Sequence, residues 1–358
     1  SAVWKPPLTR PPLPASNRPA MDDETPPPPR RKRYSGKNPR RFEDKYKEHD
    51  PARYAETVAK VIASGKTPAG SHVPIMVDEC LHALELEPGM CGVDCTLGYG
   101  GHALRILEKI TPGGKLTGLD QDPIELPKTE RRIRAAGYGD TEFEAVRSNY
   151  AGIAKVLAGR EVDFIFADLG CSSMQFDDPT RGFSFKNAGP LDMRMNPGRG
   201  VSAADWLARV SPEKLAQALH ENSDEPRAES LAEALAGKRF DTTVDLADAV
   251  RAAVRADDET VDLTVRRVFQ AVRIAVNEEF VALDSFLRVL PACLKSGGRV
   301  AVLTFHSGED RRVKKAFQAA LRDGVFSEIS DGVITAGPEE RRMNPRSAPA
   351  KLRRAVKA

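Results

Sequence analysis

The 358-residue sequence contains no run of about 18 apolar residues, so it predicts no membrane-spanning helix and no membrane partner. Cysteines are few, and their odd number of five and scattered positions are typical of reduced thiols rather than of a disulfide framework. Cys91 and Cys95 have no matching Cys or His pair downstream, so no metal site is expected. The composition, 41% hydrophobic and 29% charged, is ordinary for a globular protein.

Positive charge is concentrated at the N-terminus. Residues 1–70 hold 15 Lys and Arg against 8 Asp and Glu, whereas the remainder holds 39 against 43. The overall net charge of +3 therefore hides a basic N-terminal extension, which indicates a polyanionic partner.

The extension has two parts. Residues 1–29 contain ten of the 27 prolines, so this stretch is expected to be disordered or to form polyproline II. In residues 30–53 basic side chains alternate with Tyr34, Phe42 and Tyr46, a pattern that suits RNA contact, with a solvated linker as the alternative. The segment 1–20 has no acidic residue and could be the remnant of a transit peptide. We expect a cytoplasmic location. A plastid or mitochondrion is the alternative that a transit peptide would indicate.

From residue 71 onward the pattern becomes globular. Short apolar strands alternate with helical segments, and strands are predicted at 90–96, 115–119, 142–147 and 162–167. This rhythm predicts an α/β fold with a parallel, doubly wound sheet and helices on both faces.

Residues 200–290 lose the strand rhythm and show apolar positions at three- and four-residue spacing. Ser202, Ser211 and Thr243 are predicted helix starts. After Gly297 and Gly298 a buried strand, 299–305, returns. We therefore predict a discontinuous α/β domain, 71–185 and 290–358, with a helical insertion at 186–289.

Polar residues and glycines follow the predicted strands. Because ligands bind at the carboxyl ends of strands in such sheets, Asp94, Asp120, Asp168 and the loop 94–102 (DCTLGYGGH) should lie together. Asp120 follows the second strand, where a carboxylate can bind both hydroxyls of a ribose. The loop is not G-x-G-x-x-G, and no Lys-Ser/Thr follows its glycines, which argues against a dinucleotide and a nucleoside triphosphate. Adenosine joined to a group without phosphates, as in S-adenosylmethionine, fits better.

Residues 167–200 form a long segment rich in Gly and Pro, without helical or strand period. Structureless segments of this length are usually functional. Its aromatic and basic side chains are those expected to hold an unstacked nucleotide: Arg181, Phe183, Phe185, Arg194 and Arg199.

These stretches resemble the MraW-type ribosomal small-subunit RNA (cytosine-N4)-methyltransferases. The resemblance covers nearly all of 71–354, and its most specific part is DLGCSSMQFDD with RGFSFKNAGPLDMRMNP, residues 168–178 and 181–197. It implies a class I methyltransferase fold with a helical insertion that recognises RNA. It also implies methyl transfer from S-adenosylmethionine to N4 of a cytidine in the decoding region of small-subunit rRNA, in an assembled or assembling 30S-type particle.

The resemblance further implies a set of cofactor-binding residues: Gly100, Gly101, His102, Asp120, Tyr150, Asp168 and Gln175. Tyr150 stands where the family usually has Phe, and residues 222–229 (NSDEPRAE) replace a stretch that begins with glycine in the family. The family usually has Arg and Ser where Ala348 and Pro349 stand. The basic extension is not part of the family's common core.

Two residues are candidates for catalysis. Asp168 could favour positive charge on N4 as the methyl arrives, and His306 could lie beside the base or serve only as a structural hydrogen-bonding group. Arg266, Arg267 and Arg273 could face rRNA or solvent. The alternative function is a non-catalytic rRNA-binding ribosome-assembly factor that keeps the fold, and cofactor binding separates the two.

Overall fold

The computed structural model describes residues 74–358, so the predictions for the extension 1–70 lie outside the described residues. Its centre is a seven-stranded sheet in the order β3-β2-β1-β4-β5-β7-β6. The strands are β1 (Cys91–Asp94), β2 (Lys115–Asp120), β3 (Phe143–Arg147), β4 (Val162–Asp168), β5 (Leu294–Thr304), β6 (Phe326–Ile329) and β7 (Lys351–Lys357).

The direction of one strand corrects the prediction of an all-parallel sheet. Strands β1 to β5 pair in parallel, but β7 is antiparallel to both β5 and β6. The sequence of β7, KLRRAVK, has only two fully buried positions, so it lacks the continuous apolar run that marks a central strand.

Helices cover both faces of the sheet, which confirms the doubly wound α/β fold. They are α1 (Val77–Leu84), α2 (Gly101–Ile110) and α3 (Leu126–Ala135) on one face, and α4 (Ile153–Leu157), α11 (Glu279–Val289) and α12 (Ser307–Arg322) on the other. Alternation along β4 separates the two cores, because Phe164 and Phe166 pack with the first group whereas Ile165 and Ala167 pack with the second.

The predicted helical insertion is present between β4 and β5. Its helices are α6 (Ala203–Arg209), α7 (Pro212–Ser223), α8 (Ala228–Leu235), α9 (Thr243–Ala253) and α10 (Asp258–Asn277). They share a hydrophobic core of their own, to which Leu191 and Met193 of the preceding loop also contribute. The expected boundary at residue 289 is wrong, because α11 buries Leu283 and Phe286 against the sheet, and the insertion's own core ends with α10.

Side-chain caps start the helices of the insertion. Ser202 and Ser211 accept hydrogen bonds from the backbone three residues on, as predicted. The third cap is Thr242 rather than Thr243, because Thr242 forms a reciprocal capping box with Asp245.

The remaining differences from the predicted elements lie at loops. Strand β5 begins at Leu294, five residues earlier than predicted, and the pairing with β4 is irregular where Gly297 takes a positive φ of 75°. The long segment after β4 contains a short helix, α5 (Ser173–Asp177), and a 3₁₀ turn at Pro179–Arg181. A last short helix, α13 (Pro338–Met343), and the turn Pro345–Ser347 precede β7.

Within residues 74–358, no helix is both long and apolar enough to cross a membrane. In the same range, no three His, Cys, Asp or Glu side chains form a group that could hold a metal ion.

Candidate active site

A cavity of about 710 Å³ opens at the carboxyl ends of β1, β2 and β4. Ten of the predicted site residues line it: Gly100, Gly101, His102, Asp120, Tyr150, Asp168, Gln175, Phe183, Phe185 and His306. The three predicted arginines, Arg181, Arg194 and Arg199, do not line it. The topology therefore brings together the residues at strand ends, and it divides the predicted RNA-contact residues into two groups.

The glycine loop is held by its own backbone conformation. Gly98 and Gly100 have positive φ values of 48° and 83°, and a Cβ on Gly100 would lie 2.8 Å from Thr129 Cγ2. The Gly98 carbonyl accepts a hydrogen bond from Thr129 Oγ1 at 2.5 Å. Backbone geometry and packing thus account for Gly100, whereas a Cβ on Gly98 would meet almost nothing.

Asp120 joins the glycine loop to the end of β2. Its Oδ2 accepts a hydrogen bond from Gly98 N at 2.9 Å, and its Oδ1 accepts one from Asp122 N at 2.8 Å. Each oxygen keeps a further lone pair, so the carboxylate is fixed and can still accept from a ligand diol. Burial raises the pKa of Asp120 to about 6, although these two hydrogen bonds act in the opposite direction.

Asp168 lies at the end of β4 beside His102. His102 Nε2 is 2.9 Å from the carbonyl of Ile75, so Nε2 carries the proton and the bare Nδ1 faces Asp168 Oδ2 at 3.6 Å. Burial, together with the charges of Asp94 and Glu309, raises the pKa of Asp168 to about 8. Burial lowers the pKa of His102 to about 4. At neutral pH the proton of this pair therefore resides mainly on Asp168.

Tyr150 lines the cavity but is fixed from behind. Its hydroxyl donates a hydrogen bond to the carbonyl of Glu279 at 3.2 Å, and its ring packs edge-on against Phe286 at a centroid distance of 5.6 Å. Burial raises the pKa of the Tyr150 hydroxyl, so the group stays neutral. The Tyr150 hydroxyl thus has a structural partner, and the ring remains available for packing.

Gln175 and Arg181 are tied to one buried carboxylate that the sequence analysis did not single out. Asp122 Oδ2 accepts from Gln175 Nε2 at 2.9 Å and from Arg181 Nη1 at 2.8 Å. The other end of the Gln175 amide accepts from Ser172 N at 3.1 Å, so both ends of this amide are occupied. Gln175 thus positions the loop, and it also lines the cavity.

The expectation that Arg181 contacts phosphate is therefore wrong. Its side chain is 9% exposed, and besides Asp122 it donates to the carbonyls of Arg194 and Met195 at 3.1 and 2.9 Å. A polar loop gives no periodicity from which this burial could be read, and the partner is 59 residues away in sequence.

The other predicted RNA-contact residues have mixed placements. Arg194 forms a two-point ion pair with Asp192 at 2.6 and 2.8 Å, and Arg199 lies on an exposed turn. Phe183 is buried at the cavity wall, whereas Phe185 packs against Phe269 of the insertion at 5.0 Å. Arg194 and Arg199 thus lie outside the cavity, and the two aromatic rings belong to its wall.

His306 caps α12. Its Nδ1 accepts from Glu309 N at 3.4 Å, and its Nε2 lies 3.1 Å from Glu309 Oε1 without a hydrogen bond to any described residue. Burial acts to raise the pKa of Glu309, but His306 and Arg273 outweigh it and lower that pKa. The contacts of His306 are structural, although the ring also lines the cavity.

The helix α10 carries residues whose roles differ from the predicted stripe of arginines. Arg273 and Arg266 both line the cavity, but Arg273 is nearly buried and binds both oxygens of Glu279 at 2.8 and 2.9 Å, whereas Arg266 is exposed. Arg267 lies 3.7 Å from the buried Glu225. Asn277, at the end of the helix, accepts from Met195 N and donates to Met193 O, both at 2.8 Å. Asn277 thus fixes the loop that Arg181 fixes from the other side.

Comparison with known proteins identifies the family. The sequence model described as the MraW methylase family matches residues 69–358. The chain belongs to the MraW methylase family. It is 46% identical over 348 residues to "Ribosomal RNA small subunit methyltransferase H 1" of Lachnoclostridium phytofermentans, covering 94% of this chain and 95% of that protein. It is 45% identical over 349 residues to "Ribosomal RNA small subunit methyltransferase H 2" of Alkaliphilus metalliredigens, covering 94% of this chain and 100% of that protein.

The extent of these matches bears on the N-terminal extension. The matched family range comprises 290 of the 358 residues, so a match over 94% of this MraW-family chain must run into residues before 69. The methyltransferase H of Rubrobacter xylanophilus, 41% identical over 305 residues, covers 80% of this chain and 95% of its own length. Part of the extension is therefore shared with some relatives, although it lies outside the range of the family model.

Proposed function

We propose that this MraW-family chain transfers a methyl group from S-adenosylmethionine to N4 of a cytidine in the decoding region of small-subunit, 16S-type rRNA. The proposal depends chiefly on family membership over 69–358 in a chain whose cavity is lined by Asp120 and Asp168, at the ends of the two strands that flank β1. Relatives of the chain are themselves named as ribosomal RNA small-subunit methyltransferases.

The cavity residues fit the proposed cofactor. A volume of about 710 Å³ lies within the range of roughly 300–1,000 Å³ found for small-molecule sites. Asp120 is held by two backbone amides with lone pairs left for a ribose diol. Asp168 and Asp120 line this end of the cavity, and a bound cation would favour their ionised forms, which burial disfavours in the free site.

The residues of the chain mainly position the reactants. When bound, S-adenosylmethionine supplies an electrophilic methyl group and a neutral sulfide as the leaving group. The N4 lone pair of cytosine is delocalised into its ring, so an acceptor beside the amine favours the charge that builds on N4. We assign this role to Asp168, whose carboxylate would be the acceptor beside N4 once a bound cationic methyl donor favours its ionised form. His306 holds the wall of the cavity and the start of α12.

The cavity wall on the side of the insertion and the long loop is suited to the target nucleotide. Its aromatic rings include Phe183 and Phe185, and the exposed Lys186 and Arg266 add positive charge at the same cavity. Aromatic stacking and phosphate contacts are the means by which proteins hold single unstacked nucleotides. The insertion thus serves rRNA recognition. The substrate is an assembled or assembling 30S-type particle, in the cytoplasm or in an organelle.

A methyl-transfer assay tests the proposal. Labelled S-adenosylmethionine is incubated with unmethylated small subunits, with naked rRNA and with DNA. The product nucleosides are then separated and identified by mass spectrometry. We expect N4-methylcytidine from small-subunit RNA, and a large loss of activity in Asp120→Ala. A chain that binds small subunits but neither binds S-adenosylmethionine nor transfers methyl would instead be a non-catalytic assembly factor.

A further inference from the structure

A second concave surface lies behind the active site, between α11 and α12. We call it the α11–α12 groove. It has a volume of about 430 Å³ and is lined by Asp284, Leu287, Arg288, Arg312, Lys315 and Ala316. None of these residues lines the active-site cavity.

The groove carries excess positive charge. Three of its residues are cationic and one is acidic. Among residues 74–358, Arg288 and Lys315 are exposed and form no ion pair in the structure. Asp284 approaches Arg312 only to 3.9 Å, which is too long for a hydrogen bond. At least two cations of the groove are therefore available to an external anion.

Arg312 is held in place without a close acceptor. Its guanidinium lies over the ring of Phe280 at 4.1 Å, and its Nε is buried without a hydrogen-bond partner among the described residues. Buried donors are nearly always satisfied in folded proteins, so a donor without a partner in a groove calls for an explanation. An external anion that supplies an oxygen atom at this place would provide one.

Phe280 connects a residue of the groove with a residue of the active-site cavity. Phe280, against which Arg312 stacks, also contacts the His306 ring at a centroid distance of 5.7 Å, and His306 lines the cavity. Along α12, Lys315 lies nine residues after His306, about 14 Å at 1.5 Å per residue. A strand whose nucleotide enters the cavity can therefore place a phosphate a few nucleotides further along at the groove.

We propose that the α11–α12 groove binds the phosphate backbone of the substrate rRNA outside the target nucleotide, through Arg288, Arg312 and Lys315. This inference rests on the proposed function for its choice of RNA. Phosphate contacts of this kind fix register and orientation without reading the base. The groove thereby orients the RNA relative to the cavity.

The test compares two neighbouring lysines in the full-length chain. Lys315 lines the groove, whereas Lys314 is equally exposed on the same helix but does not line it. Binding of Lys315→Ala, Lys314→Ala and Arg288→Ala to unmethylated small subunits is measured over a range of salt concentrations. We expect Lys315→Ala and Arg288→Ala to weaken binding about three- to tenfold. Each should reduce the slope of log K against log salt by roughly 0.7–0.9, the value for one phosphate contact. Lys314→Ala should stay within about twofold of wild type.

A cross-linking experiment identifies the partner of the groove. Lys315→p-benzoylphenylalanine is irradiated on small subunits, and the expected product is a cross-link to rRNA. A cross-link to a ribosomal protein would overturn the inference, as would equal effects of Lys314→Ala and Lys315→Ala or wild-type binding by all variants.

The outcomes also separate this inference from the proposed function. Methyl transfer with unaffected groove variants would refute the groove alone. Groove-dependent binding of rRNA without methyl transfer would refute the proposed reaction and leave the groove in place.

Discussion

At the scale of single residues, the carboxyl groups at the strand ends set how the site responds to pH. The pKa of Asp168 is raised to about 8 and that of Asp94 to about 7, mainly by burial. A cation bound beside such groups favours their ionised forms and lowers these pKa values. Binding of a cationic cofactor and loss of a proton are therefore linked.

We predict that the affinity for S-adenosylmethionine rises with pH between about 6 and 8. The free site holds a proton on Asp168 below its pKa of about 8, and binding must release that proton, so affinity increases by up to about tenfold per pH unit. Titration calorimetry in buffers of different ionisation enthalpy measures the release. In Asp168→Asn the pH dependence of the affinity should flatten, because the titrating carboxyl is gone. Titration of the ligand's own amino group affects both proteins equally and does not account for the difference. The same variant should lower kcat, and normal binding with normal turnover would reject the catalytic role.

Arg181 and Arg194 give a matched pair for stability. Arg181 is buried against Asp122, whereas Arg194 pairs with Asp192 nearer the surface. We predict that Arg181→Met lowers the free energy of unfolding by about 3–5 kcal/mol, because it leaves a buried carboxylate without its cation. Arg194→Met should cost less than about 1 kcal/mol. Urea denaturation measures both, and equal losses would contradict the assignment of Arg181 to the buried network.

Residue-level prediction from the sequence succeeded where a strand pattern fixed the position. Asp120 and Asp168 follow apolar strands, so the parallel sheet had to bring them to one edge. The contacts of Arg181 and Gln175 with Asp122 were not predicted, because Asp122 lies in a different loop and nothing in the spacing marks them.

At the scale of elements, the long loop after β4 is ordered by contacts from outside it. Arg181 binds the carbonyls of Arg194 and Met195, and Asn277 at the end of α10 binds Met193 and Met195. The loop is thus fixed between the sheet's ligand edge and the insertion. Its length and composition indicated function, but the contacts that fix it depend on the fold.

We predict that Asn277→Leu lowers the free energy of unfolding by about 2 kcal/mol or more. A leucine of similar size leaves Met195 N and Met193 O without this partner, and each unsatisfied buried group costs about 1–3 kcal/mol. Hydrogen exchange at the Met195 amide should speed up. Asn277→Asp is the control, since it keeps the acceptor for Met195 N. Unchanged exchange in Asn277→Leu would show that the loop is held by other contacts.

Other elements were partly predictable. The strands β1 to β4 and the cap residues Ser202 and Ser211 follow from apolar runs and cap chemistry. The direction of β7 could not be predicted, because LRRAV is half polar and its pairing with β5 joins segments about 50 residues apart. The position of α11 against the sheet was also missed, since its helical period resembles that of the insertion.

At the scale of the whole molecule, charge divides the chain into unequal parts. The first 70 residues hold an excess of seven positive charges, 15 against 8, and the rest an excess of four negative charges, 43 against 39. The positive charge of this extension leads us to expect that it takes part in binding rRNA.

We predict that neutralising the basic residues of 30–41, with glutamine at each Lys and Arg, weakens binding to small subunits at least tenfold at low salt. The loss of several phosphate contacts should also reduce the salt dependence. Affinity for S-adenosylmethionine, measured by calorimetry, should not change. A variant without residues 1–29 is the control and should bind like the full chain. If the neutralised chain binds as tightly as wild type, the extension is only a linker.

The insertion between paired strands has a consequence for synthesis of the chain. Strands β4 and β5 are neighbours in the sheet, yet β4 ends at Asp168 and β5 begins at Leu294. At a translation rate of roughly 5–20 residues per second, the ribosome needs on the order of 6–25 s to deliver the residues between them. During this interval the newly made half-sheet presents the edge of β4 without its partner, a site where nascent chains can aggregate. The helices α6 to α10, with a core of their own, emerge in the same interval, so their early collapse would shorten the time during which that edge is accessible to other nascent chains.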